Sequence, residues 1–438
     1  SGVALGDTIH YYIVAQDNAS TPNVSAFPGY GCLNYSANPP HCSAPSTPLM
    51  YRIIGSISGV IPVGVGQVYS TLTNACTDIN DRELVGPVTL LLTDNNYPSE
   101  TFPIVIEPSV GLNAVNTLTI HPATGKTPVI SGNSSTGILK INGANYVFID
   151  GSNAGSTDRS MTWENTSTAN NSYTIGFYNK NGVGANHCIL KNCVVKSTPQ
   201  LSNVTIAVSF DLAGGKFNNN VIENNKICSA KFGIWLRGAN GAASTNCSIL
   251  NNTVGSTVPG EEISYRGIST FIVDSTLISG NDIFGSLTGN SNYGQAGIYL
   301  FGGSTNTVIH RNKIHDWFCT ATTDYANYGI YFAADASTVT EITNNFFYDI
   351  KSTGKSTGIQ FGTGGNAHIY HNTFDFEGNY LSPTRTTWSA CIYANAAITL
   401  LDIRDNIIKN TLMPSYDNPN VSIYAIYTTG TSYIYSTI

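Results

Sequence analysis

The chain has 438 residues, a net charge of −7 and only 11% charged residues, against about a quarter in an ordinary soluble domain. Its 20 basic against 27 acidic residues argue against nucleic acid or an acidic membrane surface as the main partner. No apolar run reaches the roughly 18–20 residues of a membrane span, and 41% hydrophobic residues argue against disorder. Gly, Ser, Thr, Asn and Tyr supply the polarity, as in secreted β-rich proteins, so the expected location is secreted or cell-surface.

Residues 1–54 read differently from the rest. Asp7–Gln16 alternates apolar and polar residues, as a half-buried strand does. A loop rich in Pro, Asn and Ser comes next, and residues 49–54 form a second strand. Two strands alone make no stable core. The segment resembles the end of an immunoglobulin- or fibronectin-like β-sandwich, with a stray hairpin packed on the next domain as the alternative. Cys32 and Cys42 bracket the loop and are the candidate disulfide in an oxidising compartment. The other seven of nine cysteines are scattered. Cys188, Cys193, Cys228 and Cys247 read as small fillers, and no spacing suggests a metal finger.

Residues 55–83 read as a linker and a helix. Within Val68–Arg82, Leu72, Ala75, Cys76 and Ile79 fall on one face. The helix is expected to cap the open end of a stacked domain downstream. Residues 84–438 begin with strand-like runs at Val88–Leu92, Ile104–Glu107, Leu118–His121, Val129–Ser131, Ile138–Asn142 and Tyr146–Asp150.

A repeat then takes over. Ile-x-x-Asn-x-(Ile/Val/Phe) occurs eight times, with its asparagines at Asn192, Asn225, Asn252, Asn281, Asn312, Asn345, Asn372 and Asn406. Their separations run from 27 to 34 residues. A fixed element with an uneven period marks a solenoid with variable loops. About 10–15 residues before each later copy stands a Gly-Ile-x-(Leu/Phe) strand, as at Gly297–Leu300 and Gly329–Phe332. Each period therefore holds three short strands, too short for a helical repeat. Asn tolerates the left-handed backbone of a sharp turn. Stacked about 4.8 Å apart, its amides would bond coil to coil as a ladder.

This pattern resembles the right-handed parallel β-helix of pectate lyases and their relatives, over about 270 residues. The resemblance implies the fold and not an activity. The order of Val85–Asp94, Glu100–Ile104, Asn116–Ile120 and Tyr146–Ser152 further resembles large surface proteins of Bacteroidetes-type bacteria. There a β-helix follows sandwich modules and precedes a sorting domain. Further domains are therefore expected on both sides of this chain.

Alternate strand residues face outward. The x of Gly-Ile-x-Leu gives Trp235, Ser269, Tyr299, Tyr331, Gln360, Tyr393 and Tyr427. Five of the seven are aromatic, so an exposed, glycan-binding aromatic column is expected. In the pectate-lyase-like family this strand face lines the saccharide cleft. The alternative is a purely structural stack. Three residues after the asparagines, a second column places His315, Tyr348, Asp375 and Lys409 side by side. His, Tyr and Lys are the bases that uronate β-elimination would use, with a hydrated polar face as the alternative. The compact carboxylate clusters, Asp-Asp and Gly-His-Gly motifs of the family's enzymes are absent. A Ca²⁺ ion is the one cofactor the resemblance leaves open, and no site for it is identified. The expectation is an extracellular adhesin-type module, binding polysaccharide or a cell-surface glycan without catalysis. The rivals are a polysaccharide lyase or glycoside hydrolase acting on an acidic glycan, and a structural spacer.

Overall fold

The computed structural model describes residues 2–20, 23–28, 45–200, 202–285, 294–319, 326–333, 338–379, 387–395, 398, 400–413, 421–429 and 434–437. Cys32 and Cys42 lie outside the described residues. From Ser56 onward the chain winds as a right-handed parallel β-helix of three long sheets, with 12, 13 and 10 strands among the described residues. The Gly-Ile sheet runs from Ile104–Ile106 to Val421–Thr428. The sheet that leads into each Asn runs from Ser56–Val63 to Ile434–Thr437. The sheet that leaves each Asn runs from Val129–Gly132 to Ile407–Asn410. All six early strand expectations are met within a few residues, from Glu83–Leu92 to Val147–Asp150.

The helix is shorter than expected, Leu72–Asn80, and buries Leu72, Ala75, Cys76 and Ile79. Thr71 Oγ1 accepts from the Asn74 amide, and the Glu100 carboxylate accepts from the amides of Leu72 and Thr73. Those are the donors that a helix start leaves unpaired. At its other end Asn80 brackets the outermost strand of the Gly-Ile sheet. It donates to the Val105 carbonyl and accepts from the Glu107 amide. The helix thereby covers apolar core and edge hydrogen-bonding groups together. Near the N-terminus, Asp7–Gln16 splits into two strands. Thr8–Tyr11 pairs with Leu49–Arg52, and Ile13–Gln16 pairs with Val24–Phe27, both antiparallel. The strand at Val24–Phe27 falls within the polar loop, where composition gives no sign of it.

The asparagine ladder starts at Asn225. Each amide from Asn225 to Asn372 donates to the next amide's Oδ1 at 2.9–3.0 Å. Its second N–H donates to an Ile or Leu carbonyl one coil back, as Asn312 does to Ile278 at 2.9 Å. Each Oδ1 also accepts a backbone N–H from the preceding coil. Every donor and acceptor of the interior amides is thus used. Asn192 is the exception. Strand register aligns Leu190 with Ile222, so Cys193 takes the ladder position and gives its N–H to Asn225 Oδ1. Asn192 sits one residue earlier and binds Asp150 and Asn224 instead. The expectation about the turn is corrected too. The left-handed residue precedes the ladder Asn: Asn224, Asn251, Gly280, Arg311, Asn344, His371 and Asp405 have φ from 49° to 69°.

Inside, like stacks on like. Ile222, Ile249, Ile278, Ile309, Ile342, Ile369 and Ile403 are in register. Phe347 and Phe374 stack at 4.7 Å. Each fully buried Ile contributes about 1.5–3 kcal/mol. The glycine of Gly-Ile-x-Leu also faces inward, beside the inward Ile. A Cβ on Gly329 would lie 2.5 Å from the Gly358 carbonyl and 2.6 Å from Phe347. Only hydrogen fits there.

Asn312→Ala strands the Ile278 carbonyl and two N–H groups of Asn281. At roughly 1–3 kcal/mol per stranded buried group, a loss on the order of 3 kcal/mol or more is expected in urea unfolding. Asn192→Ala is expected to cost only about 1 kcal/mol, because its partners keep other bonds. Equal losses would refute the ladder register.

Candidate functional site: two outer faces

The polar column lies on the sheet that leaves each Asn. Strand register sets His315 beside Tyr348, Tyr348 beside Asp375 and Asp375 beside Lys409. His315 is sandwiched between Phe284 at 4.9 Å and Tyr348 at 4.4 Å, the rings nearly parallel. Its side chain is only 10% exposed. Both ring nitrogens are engaged: Nδ1 with Asp316 Oδ2 at 2.8 Å, Nε2 with Asp282 Oδ1 at 3.0 Å. Two carboxylates call for two N–H donors, which is the imidazolium. Burial lowers the His315 pKa, but the hydrogen bonds to Asp282 and Asp316 outweigh it and the net shift is upward. The bond from His315 is the leading cause that lowers the pKa of Asp282, against its own burial. A cation held on both sides has no lone pair with which to take a proton.

The rest of the column is similarly committed. Lys409 lies between Asp375, at 3.0 Å, and Glu377. Burial pushes the Tyr348 phenol pKa up, and nearby carboxylates add to it. His310 and His368 belong to the neighbouring sheet, where they bind Thr343 and Glu341. His371 and Arg311 occupy the left-handed turn positions. The structure therefore aligns the four candidates but does not converge the other histidines on them. Among the described residues, no three His, Cys, Asp or Glu side chains gather as a metal site requires. No helix there is long and apolar enough to cross a membrane.

The aromatic column lies on the outer face of the Gly-Ile sheet, in the expected order. Trp235 pairs with Ser269, Ser269 with Tyr299, Tyr299 with Tyr331, Tyr331 with Gln360, Gln360 with Tyr393, and Tyr393 with Tyr427. It is not a fully exposed strip. The five aromatics are half-buried, and Ser269 and Gln360 are buried. The reason is a second column that strict alternation does not foresee. Because the Gly and Ile of each strand both face inward, the residue before Gly also faces out. That column reads Phe232, Arg266, Ala296, Tyr328, Thr357, Ala390 and Tyr424. The two columns pack ring against ring: Phe232 on Trp235 at 4.5 Å, Tyr328 on Tyr331 at 4.5 Å, Tyr424 on Tyr427 at 4.4 Å. Tyr299 and Tyr331 also stack between coils at 4.9 Å. The result is a ridged aromatic wall two side chains wide. Arg266 lies within it, 6% exposed, with its guanidinium carbon 3.4 Å from the Tyr299 ring centre. The signal for this column is present in the sequence, at the position before each repeat Gly.

Residues 184–374 match the protein family described as right-handed beta helix region. Several solved structures share the fold. A GH136 lacto-N-biosidase from Eubacterium ramulus is 10% identical, with a TM-score of 0.50 over 86% of this chain and 68% of its own. An alginate lyase from Paenibacillus sp. str. FPU-7 is 12% identical, with a TM-score of 0.46 over 83% and 99%. PfbA, a surface adhesin of Streptococcus pneumoniae, is 12% identical, with a TM-score of 0.41 over 82% and 80%. Identities this low speak to the fold alone. A search of curated protein sequences finds no match.

The His315 cluster gives a pH prediction. A folded-state pKa above the unfolded value, near 6.5, stabilises fully below about pH 6.5 and is lost as pH rises through the folded value. The lowered Asp282 pKa stabilises fully above about pH 4 and is lost as pH falls. The stability gap between wild type and His315→Gln is therefore expected to be widest between about pH 4 and 6.5, and to narrow in alkali. Urea melts across that range would reveal it, and a gap that widens in alkali would exclude the imidazolium.

Proposed function

We propose that the chain is an extracellular, surface-displayed β-helix module that binds polysaccharide along the aromatic wall without catalysis, as one part of a multidomain protein. The observation that carries this reading is the two-column wall itself. Rings stand in five of its seven coils, with coils about 4.8 Å apart and polar residues in the other two, and extended saccharides also offer a repeating surface of alternating apolar faces and hydroxyls. Half-buried rings held by their neighbours are pre-ordered, so binding loses little side-chain entropy. Tyrosine adds a hydroxyl to each apolar face.

The state of the polar column supports the non-catalytic half of the proposal. A general base must present a free lone pair within reach of the proton it takes. His315 has none in this arrangement, and Lys409 is held by two carboxylates. The column reads as a stacked, ion-paired seam that ties four coils together.

Affinity electrophoresis through gels containing single polysaccharides tests the wall. A retarded wild type is expected, with the double variant Tyr299→Ala, Tyr331→Ala weakened by about 1–2 kcal/mol, roughly tenfold. His315→Ala should migrate as wild type does. Equal mobility of wild type and the double variant in every gel would leave the wall as structure only.

A further inference from the structure

The aromatic wall is not chemically uniform. At its upstream end, in two successive coils, buried N–H and O–H groups collect without acceptors. Trp235 Nε1, Arg237 Nε, Arg266 Nε and Ser269 Oγ have no hydrogen-bond partner among the described residues. Strand register puts them together: Trp235 pairs with Ser269, and Phe232, which stacks on Trp235, pairs with Arg266. Buried polar groups are normally satisfied. Four orphans on one small area of one face therefore require an explanation.

The charge balance is as unusual as the hydrogen bonding. Arg266 is 6% exposed, and no carboxylate bonds its guanidinium among the described residues. Its Nη2 donates to the Tyr265 hydroxyl at 2.7 Å. Rings surround the rest: Tyr299 at 3.4 Å from Cζ, Tyr265 at 4.3 Å and Phe301 at 4.7 Å. Aromatic faces attract a cation but do not neutralise it. Burial lowers the Arg266 pKa, and Arg266 in turn lowers that of Lys231, which burial has already depressed. The fold thus tolerates a buried cation that no carboxylate among the described residues neutralises, and that packing alone would replace with a neutral side chain.

We infer that this step of the wall, from Trp235 to Arg266 and Ser269, is a subsite for the carboxylate of an acidic sugar. The inference rests on the glycan-binding reading and gives it a substrate class. Guanidinium and indole offer donors and no acceptors. A neutral sugar hydroxyl would answer one of them. A planar carboxylate offers two oxygens to the guanidinium fork, supplies the missing negative charge, and leaves the sugar ring against Trp235 and Tyr299. Phe301 lies 4.4 Å from Tyr299 and 6.2 Å from Trp235, and like Phe271 it is half-buried. Arg266 is enclosed in this arrangement, so the subsite requires Phe301, 4.7 Å from the guanidinium carbon, to move aside when a guest binds.

The test is isothermal titration of the purified chain with short oligomers of galacturonate, glucuronate and mannuronate, and with their methyl esters. At least one acid is expected to bind about tenfold or more tightly than its ester. Arg266→Met keeps the apolar volume and should erase that preference while raising the melting temperature. Arg266→Lys keeps the charge without the planar fork, and most of the preference should be lost. Circular dichroism confirms that each variant folds. Acid and ester binding equally, or Arg266→Met and Arg266→Lys both retaining the preference, would overturn the subsite. If neutral oligosaccharides bind and Tyr299→Ala with Tyr331→Ala abolishes this, but no uronate is preferred, the wall stands and the subsite falls. If no saccharide binds, both fall.

Discussion

The structure depends on one short side chain repeated at one place. The Asn amide has two donors and an acceptor oxygen with two lone pairs. In this fold all four find partners along the coil axis: the next coil's amide, and from the preceding coil a carbonyl, a backbone N–H and another amide. Asp would lose both donors and bury a charge. Ser has one donor and too little reach. Gln would add a methylene to a turn with no space for one. A fully satisfied buried network adds rigidity, and a half-satisfied one costs more than none. The ladder therefore holds neighbouring coils to a common register even though their lengths vary from 27 to 34 residues.

A common register turns sequence positions into columns. Isoleucines meet isoleucines, phenylalanines meet phenylalanines, and glycines meet carbonyls that would exclude any other residue. Contacts pass mainly between adjacent coils, so stability is close to a sum of nearest-neighbour steps. The two ends are where such a sum fails, because an end coil lacks a neighbour. The helix Leu72–Asn80 resolves this at one end by covering the core with four apolar residues and closing a strand edge with Asn80.

Periodicity makes the architecture legible, and its limits show at particular residues. The run Ile189-Leu190-Lys191-Asn192-Cys193 matches the repeat in one frame, yet the strand pairs in the next. Both Ile189 and Leu190 are apolar, so the sequence pattern does not distinguish them, and only pairing across coils does. Asn favours the left-handed conformation, which points to the ladder Asn as the turn residue. The occupants of the true position include Gly280, Arg311, His371 and Asp405, so it has no single residue signature. Strict alternation gives one outward column per strand. Two consecutive inward residues at Gly-Ile break the alternation and create the second. The partners of His315 are half legible: Asp316 is adjacent in sequence, whereas Asp282 becomes a neighbour only through the stack.

The two outer faces show what a rigid register permits. On the polar face, charge is answered by charge across and within coils, as in Asp282–His315–Asp316 and Asp375–Lys409–Glu377. Such a seam presents water with a closed set of pairs and offers an incoming ligand few free groups. On the aromatic face the same register holds Arg266 among rings, next to Ala296 in its column. A longer carboxylate side chain at that column position would have reached the guanidinium and closed the pair. Alanine leaves it unanswered among the described residues. An enclosed cation costs stability wherever it is not neutralised, and the scaffold tolerates that cost because its coils are secured elsewhere, by the amides and the apolar stacks. Separation of these two tasks lets one face of a solenoid carry unsatisfied chemistry without loosening the fold beneath it.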